Sequence, residues 1–135
     1  GAFEIDLRTI ENINLVGDPL QSVLIAHLQS DDFFFVEKFP TARFHIEAGG
    51  PIHADRLSTA NLELRGTLEL RGFRRPLAFA ATLSNLADGA IGAEAHFDLD
   101  RTEWGVIYGS SRYFEHLGMH LVFDAISIEV RIVAR

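Results

Sequence analysis

Residues 62–72 read LELRGTLELRG. Leu62, Leu64, Leu68 and Leu70 all occupy even positions, with Glu63, Arg65, Thr67 and Glu69 between them. That period of two predicts a strand with one buried face. Gly66 lies inside it, where a strand can bend or let a neighbour approach closely. The RGFRRP segment at 71–76 predicts a hairpin turn, and Leu77, Phe79, Ala81 and Leu83 the return strand. SNLADG at 84–89 reads as the next turn, followed by a strand carrying Ile91, Ala93, Ala95, Phe97 and Leu99.

The alternation continues on both sides of this meander. In AFEIDL, Phe3, Ile5 and Leu7 face one way and Glu4 and Asp6 the other. After Pro40, Phe44 and Ile46 alternate with Arg43, His45 and Glu47, and Gly49-Gly50-Pro51 is expected to break that strand. Near the carboxy terminus Met119, Leu121 and Phe123 are odd, whereas Ile126, Ile128, Val130 and Ile132 are even. The parity flip at Asp124-Ala125 predicts a β-bulge or a break between two strands. One helix is expected over 19–30. Asp18 serves as its N-cap, Pro19 as its first residue, and Leu20, Val23, Leu24, His27 and Leu28 as its apolar face. Six or seven short antiparallel strands around one helix point to an all-β barrel or sandwich.

Composition narrows the function classes. A chain of 135 residues that is 47% hydrophobic is one domain's worth and can build a core. A net charge of −7 lacks the basic footprint of a nucleic-acid binder. With no cysteine there are no disulfides, thiolate nucleophiles or thiolate metal sites. No apolar run approaches the ~18 residues that span a bilayer. The chain opens Gly-Ala-Phe without an initiator Met, so an amino-terminal portion is expected to be missing.

Aromatic usage is lopsided: eleven Phe beside one Trp and two Tyr, bulk without polar atoms that need partners. Three of them adjoin in SDDFFFVEKFP at 30–40. One side of an amphipathic strand or helix cannot hide all three, so at least one ring needs a second apolar environment. On the apolar sides of the later strands, Ala81, Ala93 and Ala95 admit two readings. They match bulky neighbours in a packed core, or they leave room for a ligand, as a barrel of eight strands can.

Three stretches, in order, resemble the YceI-like proteins: HLQSDDFFFVEKFPTARF at 27–44, LELRGTLELRGFRRPLAF at 62–79 and DLDRTEWGVIYGS at 98–110. The closing FDAISIEVRIVAR is also similar to that family's last strands. The resemblance implies a lipocalin-like, eight-stranded antiparallel β-barrel with an inserted helix, and a single domain over 1–135. It implies an internal tunnel for an isoprenoid, quinone or fatty-acid-like lipid, no other cofactor, and an exported, periplasmic setting, though some members lack a signal sequence. GAFEIDLRTI matches a strand that in the family follows the first strands of the barrel. The lining expected from the aromatic pattern and the resemblance comprises Phe33, Phe34, Phe44, Leu64, Phe79, Phe97, Trp104, Tyr108, Phe114 and Phe123. His27 and Arg101 are its expected polar or structural groups.

Other chemistry is weighed against plainer readings. His27, His45, His53, His96, His116 and His120 suggest a metal only through the i, i+4 pair His116 and His120. That pair shares a face in a helix, whereas His120 is expected on a strand. Asp100-Arg101 reads as an ion pair at the barrel end, with Arg101 also placed to stack on Trp104. Ser110-Ser111 lacks a nucleophile-elbow context. Arg71, Arg74 and Arg75 read as a solvated hairpin tip, or as contacts to an anionic head group. No nucleophile, base and oxyanion set emerges, so the chain is expected not to be an enzyme. An apolar-ligand carrier is expected, and the alternative is an assembly protein whose aromatics bury in a homodimer.

Overall fold

The alternating segments up to residue 100, and the last one from residue 125, form strands. A computed structural model describes residues 1–52 and 59–135 of the chain. The strands are β1 (Ala2–Asp6), β2 (Thr41–Pro51), β3 (Leu62–Leu70), β4 (Phe73–Asn85), β5 (Ile91–Asp100) and β6 (Ala125–Ala134). They form one antiparallel sheet in sequence order, curled into a half-barrel. One helix, α1 (Leu20–Gln29), lies between β1 and β2.

The hairpin between β3 and β4 is tighter than RGFRRP suggests. Arg71 and Gly72 have φ of 51° and 76°, and Leu70 stands opposite Phe73. A two-residue loop with both residues left-handed matches the twist of the strands it joins. Phe73, Arg74, Arg75 and Pro76 therefore belong to β4. Pairing between β4 and β5 is confined to Ala81–Asn85 against Ile91–Ala95. Pro76 thus lies in a half-strand that is an edge on that side, where proline is tolerated.

Gly49-Gly50-Pro51 does not end β2. A bulge between Ile46 and Ala48 adds one residue, and the strand continues with Gly49 opposite Leu64 and Pro51 opposite Leu62. Bulges of this kind increase local twist and coil a sheet towards closure. Gly66 opposes Ile46 on β2, and a Cβ there would lie 2.0 Å from the His45 carbonyl oxygen. The close approach expected at Gly66 is real, and only glycine permits it.

The parity flip near the carboxy terminus is a break. Gly118–His120 form a 3₁₀ turn, so His120 is not on a strand, and β6 begins at Ala125. The apolar face expected of α1 is not buried either. Asp18 Oδ1 accepts from the Leu20 amide at 2.8 Å, as a cap should, but Leu20 and Val23 are exposed and no residue of the helix is buried. The last turn is held down by the Phe34 and Val36 amides, which donate to the Leu28 and Gln29 carbonyls, and by His27, which packs edge-on against Phe33 and Tyr108. The first turn is tied to the preceding chain by Gln21 Nε2–H donating to the Asn12 carbonyl.

The inner face of the sheet carries the core. Leu7, Val36, Ala42, Leu70, Leu99 and Trp104 form one buried cluster. Phe44, Phe79, Ala81 and Ala95 form a second, and Leu68, Leu77 and Phe97 pack against both.

Candidate functional site: an apolar groove on the inner face

The three adjacent phenylalanines occupy three different environments. The chain turns through 31–38, and Phe35 adopts φ 50°. Phe33 is buried under the end of α1, beside His27 and Tyr108 and over the Arg101 guanidinium at 5.7 Å. Phe34 turns towards the sheet interior. Phe35 packs edge-on against Phe39, with the Arg71 guanidinium 5.9 Å from its ring centroid. A strand would return Phe35 to the side of Phe33; the turn, with Phe35 left-handed, gives the three rings three separate environments instead.

Phe34 borders an apolar groove of about 150 Å³ on the inner face, with no polar surface in its lining. Phe3, Ile5 and Leu7 form one bank, Ile126, Ile128 and Val130 the other, and Phe44, Leu68, Phe79 and Phe97 the floor. The banks are the outermost strands β1 and β6, so the groove spans the open side of the half-barrel.

Of the residues singled out from sequence, Phe34, Phe44, Phe79 and Phe97 line the groove, and Leu64 lines a smaller adjoining pocket. Phe33 and Tyr108 sit together beneath α1. Trp104 is 1% exposed and lies in the cluster under the groove, its Nε1–H donating to the Leu68 carbonyl at 3.0 Å. Phe114 and Phe123 are 46% and 81% exposed on the irregular chain leading to β6; the part holding Phe123 was expected to be strand. Leu7, Ile126, Ile128 and Val130 were not singled out. Their signal was available in the strict alternation of β1 and β6, which marks an inward face without saying that the face lies open.

The expected polar groups are both structural neighbours of the groove. His27 Nε2 pairs with Asp32 Oδ2 at 3.0 Å. Arg101 is 2% exposed and does not pair with Asp100 or stack on Trp104. Its guanidinium donates to the carbonyls of Phe123, Val106 and Val122 at 2.7–3.0 Å, and lies 3.9 Å from Asp124. Burial pulls its pKa down, opposed by the charges of Asp124 and Asp100. An arginine so placed stays protonated.

Asp100 instead caps the 3₁₀ turn Arg101–Trp104. It accepts from the Thr102 hydroxyl at 2.6 Å and the Thr102 amide at 3.0 Å, and pairs with Arg112 at 3.1 Å. The Thr102 hydroxyl, with the Thr102 amide and Arg112, holds its carboxyl below the usual range. A depressed folded-state pKa contributes stability that is present above the unfolded value, about pH 4, and is lost as pH falls through the folded value. Asp100→Ala is expected to cost about 0.5–2 kcal/mol at neutral pH, as lost caps do. The gap between variant and wild type should narrow below about pH 4, checked by urea unfolding across pH. An unchanged gap down to the acid limit would remove the carboxylate from that role.

Two of the three hairpin arginines donate to backbone carbonyls. Arg71 donates to the carbonyls of Asp31 and Gly105, and Arg75 to that of Glu103. Ser110 is fully buried. No group of His, Asp and Glu among the described residues could hold a metal ion; His53 lies outside them. No described helix is long and apolar enough to cross a membrane.

Residues 1–134 match the family described as the YceI-like domain. No curated protein sequence matches the chain. Among solved structures, the chain is similar to Burkholderia cenocepacia BcnA, with 17% identity, 99% of this chain and 73% of that one covered, and a TM-score of 0.72. It is similar also to the Campylobacter jejuni YCEI protein, with 19% identity, coverage of 98% and 70%, and a TM-score of 0.65. At these identities the likeness establishes the fold.

Proposed function

The chain belongs to the YceI-like domain family, and from that premise we propose that it is a carrier module holding an isoprenoid, or a similar apolar chain such as a quinone tail or fatty acid, against the inner face of its sheet. The family is known as polyisoprenoid-binding. The observation that supports the reading is the groove: it is concave, lined by apolar side chains from β1 to β6, and without polar surface. Each buried CH₂ contributes about 0.8 kcal/mol, so roughly ten buried carbons offset much of the cost of immobilising a ligand.

The same reading takes the six strands as part of one closed, eight-stranded barrel domain in an exported protein. The outer edges of β1 and β6 have no strand partner among the described residues, and further strands there would roof the groove. A homodimer is the second reading, favoured by the exposure of Met119, Leu121 and Phe123 on one segment.

Mass spectrometry of the purified protein, native and after organic extraction, tests the carrier reading. About one apolar molecule per chain is expected. Ile128→Glu, in the groove, should abolish its retention, whereas Val133→Glu, exposed on the same strand, should not. A protein that stays empty when offered isoprenoids, quinones and fatty acids, and whose mass in size exclusion rises with concentration, would favour the homodimer.

A further inference from the structure

A line of four rings crosses the inner face of the sheet. Phe3 and Phe44 have centroids 5.5 Å apart, Phe44 and Phe79 5.2 Å, and Phe79 and Phe97 stack at 4.5 Å with their planes 16° apart. The rings come from β1, β2, β4 and β5. β3 contributes none, because Gly66 stands in the way of the Phe44 ring: a Cβ there would come within 2.8 Å of it. The missing side chain lets Phe44 lean across β3 to reach Phe79.

The line separates two apolar spaces. On one side is the groove of about 150 Å³, and on the other a pocket of about 20 Å³ bordered by Leu64, Ala81, Ala93, Ala95 and Ile132. Phe3, Phe79 and Val130 line both, and so form the wall between them. Of these, Phe79 is the buried one, held between Phe44 and Phe97. Beyond the wall the inner face is made small, with Ala81 opposite Ala95 across β4 and β5. Small residues behind the wall leave space that Phe79, its buried ring, helps deny to the groove.

We propose that Phe79 is a specificity residue, a stop that sets the length of apolar chain the groove accepts; this rests on the carrier reading. With the ring in place, a ligand's tail ends against Phe79. Without it, the groove and the alanine-lined pocket become continuous and take about one further isoprene unit, since added apolar contact scales with the carbons buried.

The test measures binding of geraniol, farnesol and geranylgeraniol by calorimetry. The proteins are the wild type, Phe79→Ala, Phe79→Leu, and Phe79→Ala combined with Ala95→Leu, which refills the pocket. Circular dichroism confirms folding, and Phe79→Leu serves as the milder change if the alanine variant unfolds. In the wild type, affinity should stop rising once the alcohol fills the groove. The opened variant should bind the next longer alcohol at least tenfold tighter than wild type does, the gain from burying about two of the added carbons, and the double variant should return to the wild-type profile. Folded variants with the wild-type length profile would overturn the stop and leave the carrier reading standing. A wild type that binds none of the three alcohols would overturn both.

Discussion

Arg101→Ala is expected to lower stability by about 3–5 kcal/mol, the range seen when one partner of a buried ionic arrangement is removed. Arg101 is the group that ties the chain after β5 to the start of β6. Its fork reaches the carbonyls of Val106, Val122 and Phe123, and its face lies against the Phe33 ring. Truncation leaves those acceptors without their donor. It also leaves Asp124, whose buried Oδ1 makes no hydrogen bond among the described residues, with Arg112 at 3.7 Å as its remaining partner in place of two cations. Arg101→Lys keeps the charge but not a planar fork that can serve three carbonyls, so it should recover only part of the loss. Urea unfolding followed by circular dichroism measures both. A loss below about 1 kcal/mol for the alanine variant, the scale of an ordinary surface change, would show that the carbonyls find other donors and that Arg101 does not organise the segment.

The same residue shows where sequence reading stops. Arg101 next to Asp100 suggested a local ion pair, but neighbouring residues on an extended chain point to opposite sides. Asp100 accordingly turns to Thr102 and Arg112, and Arg101 turns inward. The strands were legible because period two survives in the bare sequence: β3, β5 and β6 begin and end close to where their alternation does. Boundaries set by backbone conformation were less so. Glycine in a strand pattern can mean a break or a close approach: Gly49 continues the strand, and Gly66 marks the close approach, where a Cβ would lie 2.0 Å from the His45 carbonyl oxygen. The apolar stripe on α1 reads as a buried face, yet burial depends on what lies opposite: the last turn packs against the rings of Phe33 and Tyr108, while Leu20 and Val23 stay exposed.

Candidate site residues divided in the same way. Phe44, Phe79 and Phe97 could be placed inside because each sits in phase on a strand. Phe114 and Phe123 lie on irregular chain, where no period relates a residue to the interior, and both are exposed. Phe33 and Phe34 lie in a turn that continues through a left-handed Phe35, a conformation that no apolar pattern announces.

Trp104→Ala is the second large effect, with an expected loss of about 3–5 kcal/mol for removing a fully buried indole. The position explains why the site should collapse poorly. β4 and β5 part company below Ala81 and Ala95, and the 3₁₀ turn Arg101–Trp104 packs against β4. The indole belongs to the buried cluster against which Phe34, Phe97, Ile126 and Ile128 rest, four of the residues that line the groove. Trp104→Phe separates two contributions. It retains most of the ring but removes the donor to the Leu68 carbonyl, for which about 1–3 kcal/mol is expected if that carbonyl stays dry. Trp104 is the only tryptophan, so both variants are followed by circular dichroism in urea rather than by fluorescence. If the alanine variant is destabilised while the phenylalanine variant matches wild type, the indole acts through volume alone. If neither loses more than about 1 kcal/mol, the groove does not depend on Trp104 for its floor, and its shape must be maintained by the strand pairing of β2, β3 and β4.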